Sequence, residues 1–161
     1  MSFSHIISKC YRELYLLLRP SLWGERLHIN GIPVIGNRSR LILGYDVSLN
    51  SNCYIQCVGG VKIGDCVTIS YGCMILSSGL DTNNYPNICL VKDRKHVLQS
   101  VEIGDGVWLC AGCKVMPGVR IANKVIVGAG SVVTKDCDKE GWLYGGVPAR
   151  PIKSLYKDNQ K

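Results

Sequence analysis

Aliphatic residues recur at every sixth position between Ile103 and Cys137, and no other feature of the sequence constrains the fold as strongly. A small or aliphatic residue follows each of them four positions later, so that the two series are Ile103, Leu109, Val115, Ile121, Val127 and Val133, and Val107, Cys113, Val119, Val125, Ser131 and Cys137. A fixed period of six residues is typical of parallel β-helices, in which each repeat forms a short strand and a turn. Stacked coils bury the aliphatic positions in one continuous core. The sequence therefore predicts a parallel β-helix.

The same spacing appears earlier in the chain, with interruptions. It runs through Leu43, Leu49 and Ile55, and it resumes after the glycine pair at 59–60 with Ile63, Ile69 and Ile75. Between residues 77 and 100 the repeat gives way to a polar segment rich in Asn and Asp. Loops of this length in repeat proteins are usually functional or disordered, and they cluster on the binding face. We predict a single domain with coils over 29–76 and 101–137 and an inserted active-site loop over 77–100.

The two ends of the chain follow other patterns. Apolar residues at steps of three and four predict a helix over 1–20, with Pro20 as a stop. Its apolar run from Leu14 to Leu18 is much shorter than the roughly 20 residues of a membrane span. Two alternatives stay open for this helix: packing on the first coil, or peripheral contact with a membrane surface. Residues 138–161 are expected to form a turn region and a polar tail.

The net charge and the cysteine content limit the binding partners and the cellular compartment that we expect for this protein. The formal net charge of +7 suits a phosphorylated cofactor, a nucleotide-sugar or a membrane surface, unless the cations are simply solvated. A basic block interleaved with aromatic residues is missing from the sequence, which argues against nucleic acid. Four of the nine cysteines, Cys53, Cys73, Cys113 and Cys137, occupy the fourth step of a hexad, where a small buried residue is needed. We therefore expect structural thiols, no metal site and a cytoplasmic protein, with the inner face of the membrane as the alternative location.

Two segments carry a resemblance to a known family. The sequence IGDGVWLCAGCKVMPGVRIANKVIVGAGSVVTKD at 103–136, followed by GGVPARPI at 145–152, resembles the hexapeptide-repeat acyltransferases. More narrowly, it is similar to bacterial sugar O-acetyltransferases of the maltose, galactoside and polysaccharide type. The resemblance implies a left-handed β-helix, a homotrimer with active sites in the clefts between subunits, and acetyl-CoA as donor. The implied reaction transfers acetyl to a sugar hydroxyl or amino group, in surface polysaccharide or lipopolysaccharide biosynthesis.

Such a transfer needs a base, because a sugar hydroxyl is a poor nucleophile, and histidine has the most suitable pKa. Of the three histidines, His96 alone lies in the inserted loop. Related sugar acetyltransferases carry their histidine shortly after the strand that precedes this loop, and here Leu80 stands at that position. Either His96 is the base, brought near Leu80 by folding of the loop, or the site is not a conventional acetyltransferase site. Asp81 and Asp93 are candidates to orient the imidazole.

The donor side matches the family more closely. The resemblance places Ala111 and Ala129 at backbone contacts to the pantetheine arm of the cofactor. Thr134 and Lys135 would meet the later part of the arm and the phosphates, and Arg150 and Lys153 the nucleotide end. Cations at that end would pair with phosphates. A purely structural alternative stays open for these residues. In it, the small residues simply fit the corners of the coils, and the cations are solvated surface charges.

Two alternatives from other classes remain. A catalytically silent trimeric scaffold or CoA-binding module would explain Leu80. A metal hydratase resembling the γ-class carbonic anhydrases would need three converging histidines, and His5, His28 and His96 are too scattered in the sequence. The acceptor, the choice of oxygen or nitrogen as nucleophile, and the acyl length are left open by the sequence.

Overall fold

Short strands separated by turns follow the six-residue spacing throughout the computed structural model, which describes residues 26–83 and 85–156. Each strand has two or three residues, except in the C-terminal hairpin, and short 3-10 turns lie at Arg38–Arg40, Tyr85–Asn87 and Val91–Asp93. The strands are β1 His28–Asn30, β2 Val34–Gly36, β3 Leu41–Leu43, β4 Ser48–Asn50, β5 Tyr54–Gln56, β6 Val61–Ile63, β7 Thr68–Ile69, β8 Met74–Leu76, β9 Ser78–Leu80, β10 His96–Leu98, β11 Val101–Ile103, β12 Trp108–Leu109, β13 Lys114–Val115, β14 Arg120–Ile121, β15 Ile126–Val127, β16 Val132–Val133, β17 Trp142–Gly146 and β18 Ala149–Ser154.

These strands form the three faces of a prism. The first sheet has the order β1-β4-β7-β12-β15-β17-β18, the second β16-β13-β8-β5-β2, and the third β14-β11-β6-β3. Neighbouring strands pair in parallel, and equivalent hexad residues face one another, as Leu49 faces Ile69. The chain passes from the first sheet to the second and the third before it starts the next coil. The predicted left-handed parallel β-helix is confirmed.

Three columns of turns join the sheets, and we name them by their place. The first corner, between the first and second sheets, contains 51–53, 71–73, 111–113 and 129–131. The second corner, between the second and third sheets, contains 57–60, 77–100, 117–119 and 134–136. The third corner, between the third and first sheets, contains 44–47, 64–67, 104–107 and 122–125. The inserted segment therefore leaves the prism at the second corner.

The core consists of the hexad residues that the spacing identifies. From Leu49 to Val133 every aliphatic residue of the two predicted series is buried, and these side chains form one continuous cluster. Leu43 is only half-buried, because its strand β3 lies at the edge of the third sheet and is covered from one side. Burial at about 25 cal/mol per Å² of apolar surface makes this stacked column the main stabilising contribution.

Side-chain oxygens link successive coils at the third corner. Asp65 Oδ1 accepts the backbone N–H of Tyr45 at 2.7 Å. In the same way, Asp105 Oδ1 accepts the N–H of Asp65 at 2.9 Å, and Asn123 Oδ1 accepts the N–H of Asp105 at 2.9 Å. Each oxygen reaches its donor past a residue that has no side chain. A Cβ on Gly64 would lie 2.2 Å from Asp105 Oδ1 and 2.9 Å from the carbonyl carbon of Gly104. The glycine is needed there for close approach between coils.

We predict that Gly64→Ala destabilises the fold by about 1–3 kcal/mol, because the added methyl group overlaps backbone that cannot move freely. Gly36→Ala is the matched control, since a Cβ at Gly36 meets nothing within 4 Å. Urea denaturation monitored by circular dichroism measures both variants. Equal unfolding midpoints for the two would contradict the close approach at the third corner.

The C-terminal region differs from the turn and tail predicted over 138–161. β17 pairs in parallel with β15 and extends the first sheet, and β18 returns antiparallel to β17. Tyr144 takes the place of a hexad aliphatic opposite Val127 and is 3% exposed, so it closes the end of the core. The six-residue period could not reveal this, because Tyr144 lies eleven positions beyond Val133.

The predicted helix over 1–20 lies outside the described residues. Within 26–83 and 85–156, no helix is long and apolar enough to cross a membrane.

Candidate active site

The inserted segment contains a β-hairpin where the sequence indicated only a loop. β9 and β10 pair antiparallel, with Ser78 opposite Leu98, Gly79 opposite Val97 and Leu80 opposite His96. The 3-10 turns Tyr85–Asn87 and Val91–Asp93 lie between the two strands. The hairpin therefore holds both ends of the segment at the second corner.

Buried polar contacts fix the base of this hairpin to the coil below. Ser77 is fully buried, and its hydroxyl accepts the N–H of Gly59 at 2.9 Å while it donates to the carbonyl of Gln56. Ser78 Oγ donates to Gln56 Oε1 at 2.9 Å, and the N–H of Gln99 donates to the Ser77 carbonyl at 3.0 Å. A buried polar group of this kind is held by its hydrogen bonds. Sequence reasoning missed Ser77, although strand alternation after Ile75 places it inward.

His96 and Leu80 are direct cross-strand neighbours. Asp81 N–H donates to Lys95 O at 2.8 Å in the next pair on one side, and Gln99 N–H donates to Ser77 O at 3.0 Å three pairs away on the other side. Counting along the ladder, Leu80 and His96 form a non-hydrogen-bonded pair, in which side chains share one face and approach most closely. Folding of the inserted segment thus puts an exposed imidazole beside Leu80, the position at which the resemblance leads us to expect a histidine.

The two proposed orienting carboxylates are placed differently. Asp81 Oδ1 accepts the N–H of Asn83 at 2.9 Å, and strand alternation turns Asp81 to the face opposite His96. Asp93 lies at the end of a 3-10 turn and is exposed. In the described part of the chain, neither carboxylate contacts the His96 ring. The structure therefore does not bring Asp81 or Asp93 together with His96.

The predicted pantetheine contacts stack at the first corner. Ala111 and Ala129 are exposed and occupy equivalent positions in successive coils, since Gly130 N–H donates to Ala111 O at 2.8 Å. Gly112 and Gly130 follow them with φ of 72° and 69°, a conformation that favours glycine. Small side chains followed by glycine leave backbone groups open to a narrow ligand along this corner.

The other predicted donor contacts lie elsewhere on the prism. Thr134 and Lys135 are exposed at the second corner directly after β16. Arg150 and Lys153 lie on β18, the edge strand of the first sheet, and both are exposed. The first and second corners are separated by one side of the triangle, at most roughly 20 Å along six extended residues. A ligand that touches both corners must therefore cross the second sheet or lie between two copies of the chain.

The cysteines of the first corner form an internal column. Thiols of Cys53, Cys73 and Cys113 donate to carbonyl oxygens of Ser70, Cys110 and Gly128, in each case at 3.1 Å. Burial raises the pKa of the Cys53 thiol to about 11. Burial, together with nearby Asp136 and Asp138, raises the pKa of Cys137 to about 12.

The cysteines of residues 26–83 and 85–156 are all free thiols. In the same residues there is no group of three or more His, Cys, Asp or Glu side chains that could hold a metal ion.

We expect iodoacetamide at pH 8 to label Cys66 and Cys89 in the native protein and to leave Cys53, Cys57 and Cys137 unmodified. Only the thiolate reacts, and a raised pKa keeps these buried groups protonated at that pH, whereas the first two are exposed. Peptide mapping by mass spectrometry identifies the labelled residues, with urea-unfolded protein as the control. Native labelling of Cys53 as fast as Cys66 would contradict the buried column.

Comparison with known proteins assigns the repeat. The family model described as bacterial transferase hexapeptide (six repeats) matches residues 100–135. The chain carries the bacterial transferase hexapeptide repeat. This match and the relatives described next confirm the resemblance to the hexapeptide-repeat acyltransferases.

Two curated relatives show how far the similarity extends. Galactoside O-acetyltransferase of Escherichia coli K12 is 30% identical over 117 residues, which cover 73% of this chain and 55% of that protein. A chloramphenicol acetyltransferase of Klebsiella aerogenes is 38% identical over 58 residues, 36% of this chain and 27% of that protein. The chain thus spans between about a quarter and about half of the length of these relatives.

Solved structures share the hexapeptide fold. A hexapeptide-repeat acetyltransferase of Vibrio cholerae, complexed with acetyl coenzyme A, aligns with a TM-score of 0.76 at 25% identity over 91% of this chain and 79% of that one. A galactoside acetyltransferase in complex with coenzyme A aligns with a TM-score of 0.70 at 27% identity, over 81% of this chain and 64% of that chain.

The hexapeptide match divides the predicted site. Ala111, Ala129, Thr134 and Lys135 lie inside the matched residues, whereas His96 lies in the insertion before them and Arg150 and Lys153 follow them. The predicted contacts to the pantetheine arm and the phosphates therefore lie in the repeat itself, and the imidazole lies in a segment that interrupts it.

Proposed function

We propose that this protein is an acetyl-CoA-dependent acetyltransferase that moves the acetyl group to a sugar hydroxyl or amino group, with His96 as general base. The observation that carries the proposal is the pairing of His96 with Leu80 across the hairpin. It is supported by the acetyl-CoA and CoA complexes of the structural relatives and by the galactoside O-acetyltransferase similarity.

The residues suit each step of such a transfer. The neutral His96 imidazole would take the proton of the acceptor hydroxyl as its oxygen attacks the thioester carbonyl carbon. Backbone N–H groups would stabilise the negative charge on the carbonyl oxygen of the tetrahedral intermediate. Collapse of the intermediate breaks the carbon–sulfur bond, and the protonated imidazole returns the proton to the departing CoA thiolate.

The proposed donor path begins at Ala111 and Ala129 and ends at the cations. Thr134 and Lys135 lie at a different corner, so we assign the two corners to neighbouring subunits of a homotrimer, with the cofactor in the cleft between them. The positive charge of the chain, +7 in total, suits the phosphates of CoA and an acceptor linked to a nucleotide or a lipid. We place the reaction in surface polysaccharide or lipopolysaccharide biosynthesis, in the cytoplasm or at the inner face of the membrane.

A silent scaffold that binds CoA is the second candidate, and Leu80 favours it, because leucine cannot take up a proton. The two candidates differ in whether the hairpin imidazole is needed for turnover. Binding of CoA alone is common to both.

We predict that His96→Ala lowers kcat by about 100-fold or more while the KM for acetyl-CoA changes little, since loss of a general base affects the chemical step. Release of the CoA thiol, followed with a chromogenic disulfide, measures turnover. His28→Ala is the control, because His28 is also exposed but contacts Asp46 at 2.9 Å, away from the hairpin. Full activity of His96→Ala would contradict the assignment of His96 as the general base.

The cross-strand pairing allows a stricter form of this experiment. Leu80→His combined with His96→Leu exchanges the two side chains on one face of the hairpin, so an imidazole remains near its original place. We expect the double variant to recover at least about tenfold of the activity lost in His96→Leu alone. If the double variant were as inactive as His96→Leu, the imidazole would have to be carried by β10 itself.

We predict micromolar binding of CoA that weakens about tenfold or more, 1.4 kcal/mol, in the variant Lys135→Ala with Arg150→Ala. Loss of two cations next to phosphates removes charge-assisted hydrogen bonds. Lys62→Ala with Arg120→Ala makes the same change of charge on the outer face of the third sheet and should bind normally. Calorimetry measures all three proteins, and no binding by the unaltered chain would exclude both candidates.

A further inference from the structure

Two large aromatic side chains are exposed, one on the outer face of the first sheet and one at the first corner. The proposed reaction assigns neither of them a role. Tyr71 is 58% exposed at the first corner and Trp108 is 46% exposed on β12. We name this pair the aromatic platform. Large exposed aromatic surfaces commonly mark recognition sites rather than structural positions.

Hydrogen bonds hold both rings in place. Trp108 Nε1 donates to Ser70 Oγ at 3.0 Å, so the indole leans from β12 over the coil below, next to the residue that precedes Tyr71. Asn52 Nδ2 donates to Tyr71 Oη at 2.8 Å, which draws the phenol ring towards the coil below its own. The rings thus cover successive coils about 5 Å apart. Rings fixed in advance lose little freedom when a ligand packs on them.

The platform lies at one end of the column of small residues. Tyr71, Ala111 and Ala129 are equivalent in successive coils, because Gly112 N–H donates to Tyr71 O at 2.9 Å and Gly130 N–H donates to Ala111 O at 2.8 Å. Arg150 and Lys153 lie at the opposite end, on the last strand of the first sheet. If the proposed function holds, the phosphates of CoA point towards those cations. The thioester then lies near the platform.

The side chains around the platform are polar and uncharged. Thr68 pairs with Trp108 on the neighbouring strand and Ser70 accepts the indole N–H, and Asn50 and Asn52 lie on the coil below. Tyr71 accepts its hydrogen bond from Asn52, so its own O–H can still donate, and Asn52 Oδ1 can still accept. A pyranose ring has the matching chemistry, since one face carries C–H groups that pack on aromatic rings and its rim carries hydroxyls.

We infer that the aromatic platform binds the pyranose ring of a neutral sugar acceptor, with Tyr71 as a residue that determines acceptor specificity. This inference rests on the proposed function, because the position of the thioester does. A charged sugar is a poorer fit, since none of Asn50, Asn52, Thr68 and Ser70, the described polar residues beside the rings, carries a charge. Adenine could also stack on aromatic rings, but the cations that would meet its phosphates lie at the other end of the column.

The test measures acceptor and donor separately, with methyl β-galactopyranoside and maltose as acceptor probes and acetyl-CoA as donor. Tyr71→Ala should raise the KM for the acceptor by about tenfold, as expected for loss of an aromatic contact, and leave the KM for acetyl-CoA within about twofold. Tyr71→Phe should keep most of the acceptor affinity. Tyr45→Ala removes an aromatic side chain of similar exposure at the third corner and should change neither constant.

The outcomes separate the inference from the proposed function. Turnover with an unchanged acceptor KM in Tyr71→Ala would overturn the inference and leave the acetyltransferase standing. A raised KM for acetyl-CoA alone would assign the platform to adenine and also overturn it. For slow acceptors, saturation-transfer NMR of the same probes with the CoA complex replaces kinetics. If the protein binds CoA but neither sugar probe, the inference is overturned and the proposed function stands. If the protein does not bind CoA, the proposed function is overturned, and the inference that rests on it falls as well.

Discussion

The stacking of one aliphatic side chain on the next, coil after coil, is the constraint on which every other part of this protein depends. Each coil has too little apolar surface to fold alone, and it becomes stable only when neighbours cover both of its sides. Backbone hydrogen bonds between coils then fix the register of all three corners at once. The predicted site residues of the first and second corners are positioned by this register, since Ala111 can lie over Tyr71 only if the whole hexad series is aligned.

Local spacing is sufficient to predict the regular coils. An aliphatic residue at every sixth position defines which side chains face inward, so the core from Leu49 to Val133 follows from the sequence without knowledge of distant contacts. The C-terminal hairpin does not follow, because Tyr144 fills the core from an irregular position. The hairpin β9–β10 is also hidden, since three-residue strands separated by a long polar segment have no detectable period. Their pairing is decided by anchoring at Ser77, which is a tertiary contact.

In the candidate site, too, some residues are predictable from the sequence, whereas their spatial arrangement is visible only in the structure. Of the predicted donor contacts, Ala111, Ala129, Thr134 and Lys135 are placed by the repeat, and the resemblance identifies them one by one. Their distribution over two corners needs the structure, because it depends on the order in which the chain visits the sheets. His96 could be selected from the sequence as the only histidine of the loop, but its approach to Leu80 was one of two alternatives that the sequence left open. Only the register of the hairpin shows that it stands opposite Leu80.

Residues of the non-hydrogen-bonded pairs share a face, and a shift of the register by one residue would turn every side chain of β10 to the other face. The segment between the two strands can therefore change its length with little effect on the imidazole, provided that Ser77 and Gln99 keep their hydrogen bond. A deletion between His96 and Gln99 would be different, because it would present Lys95 in place of the imidazole. The hairpin thus tolerates variation at its tip but not where its strands leave the coil, so the tip can diverge while the position of the imidazole is retained.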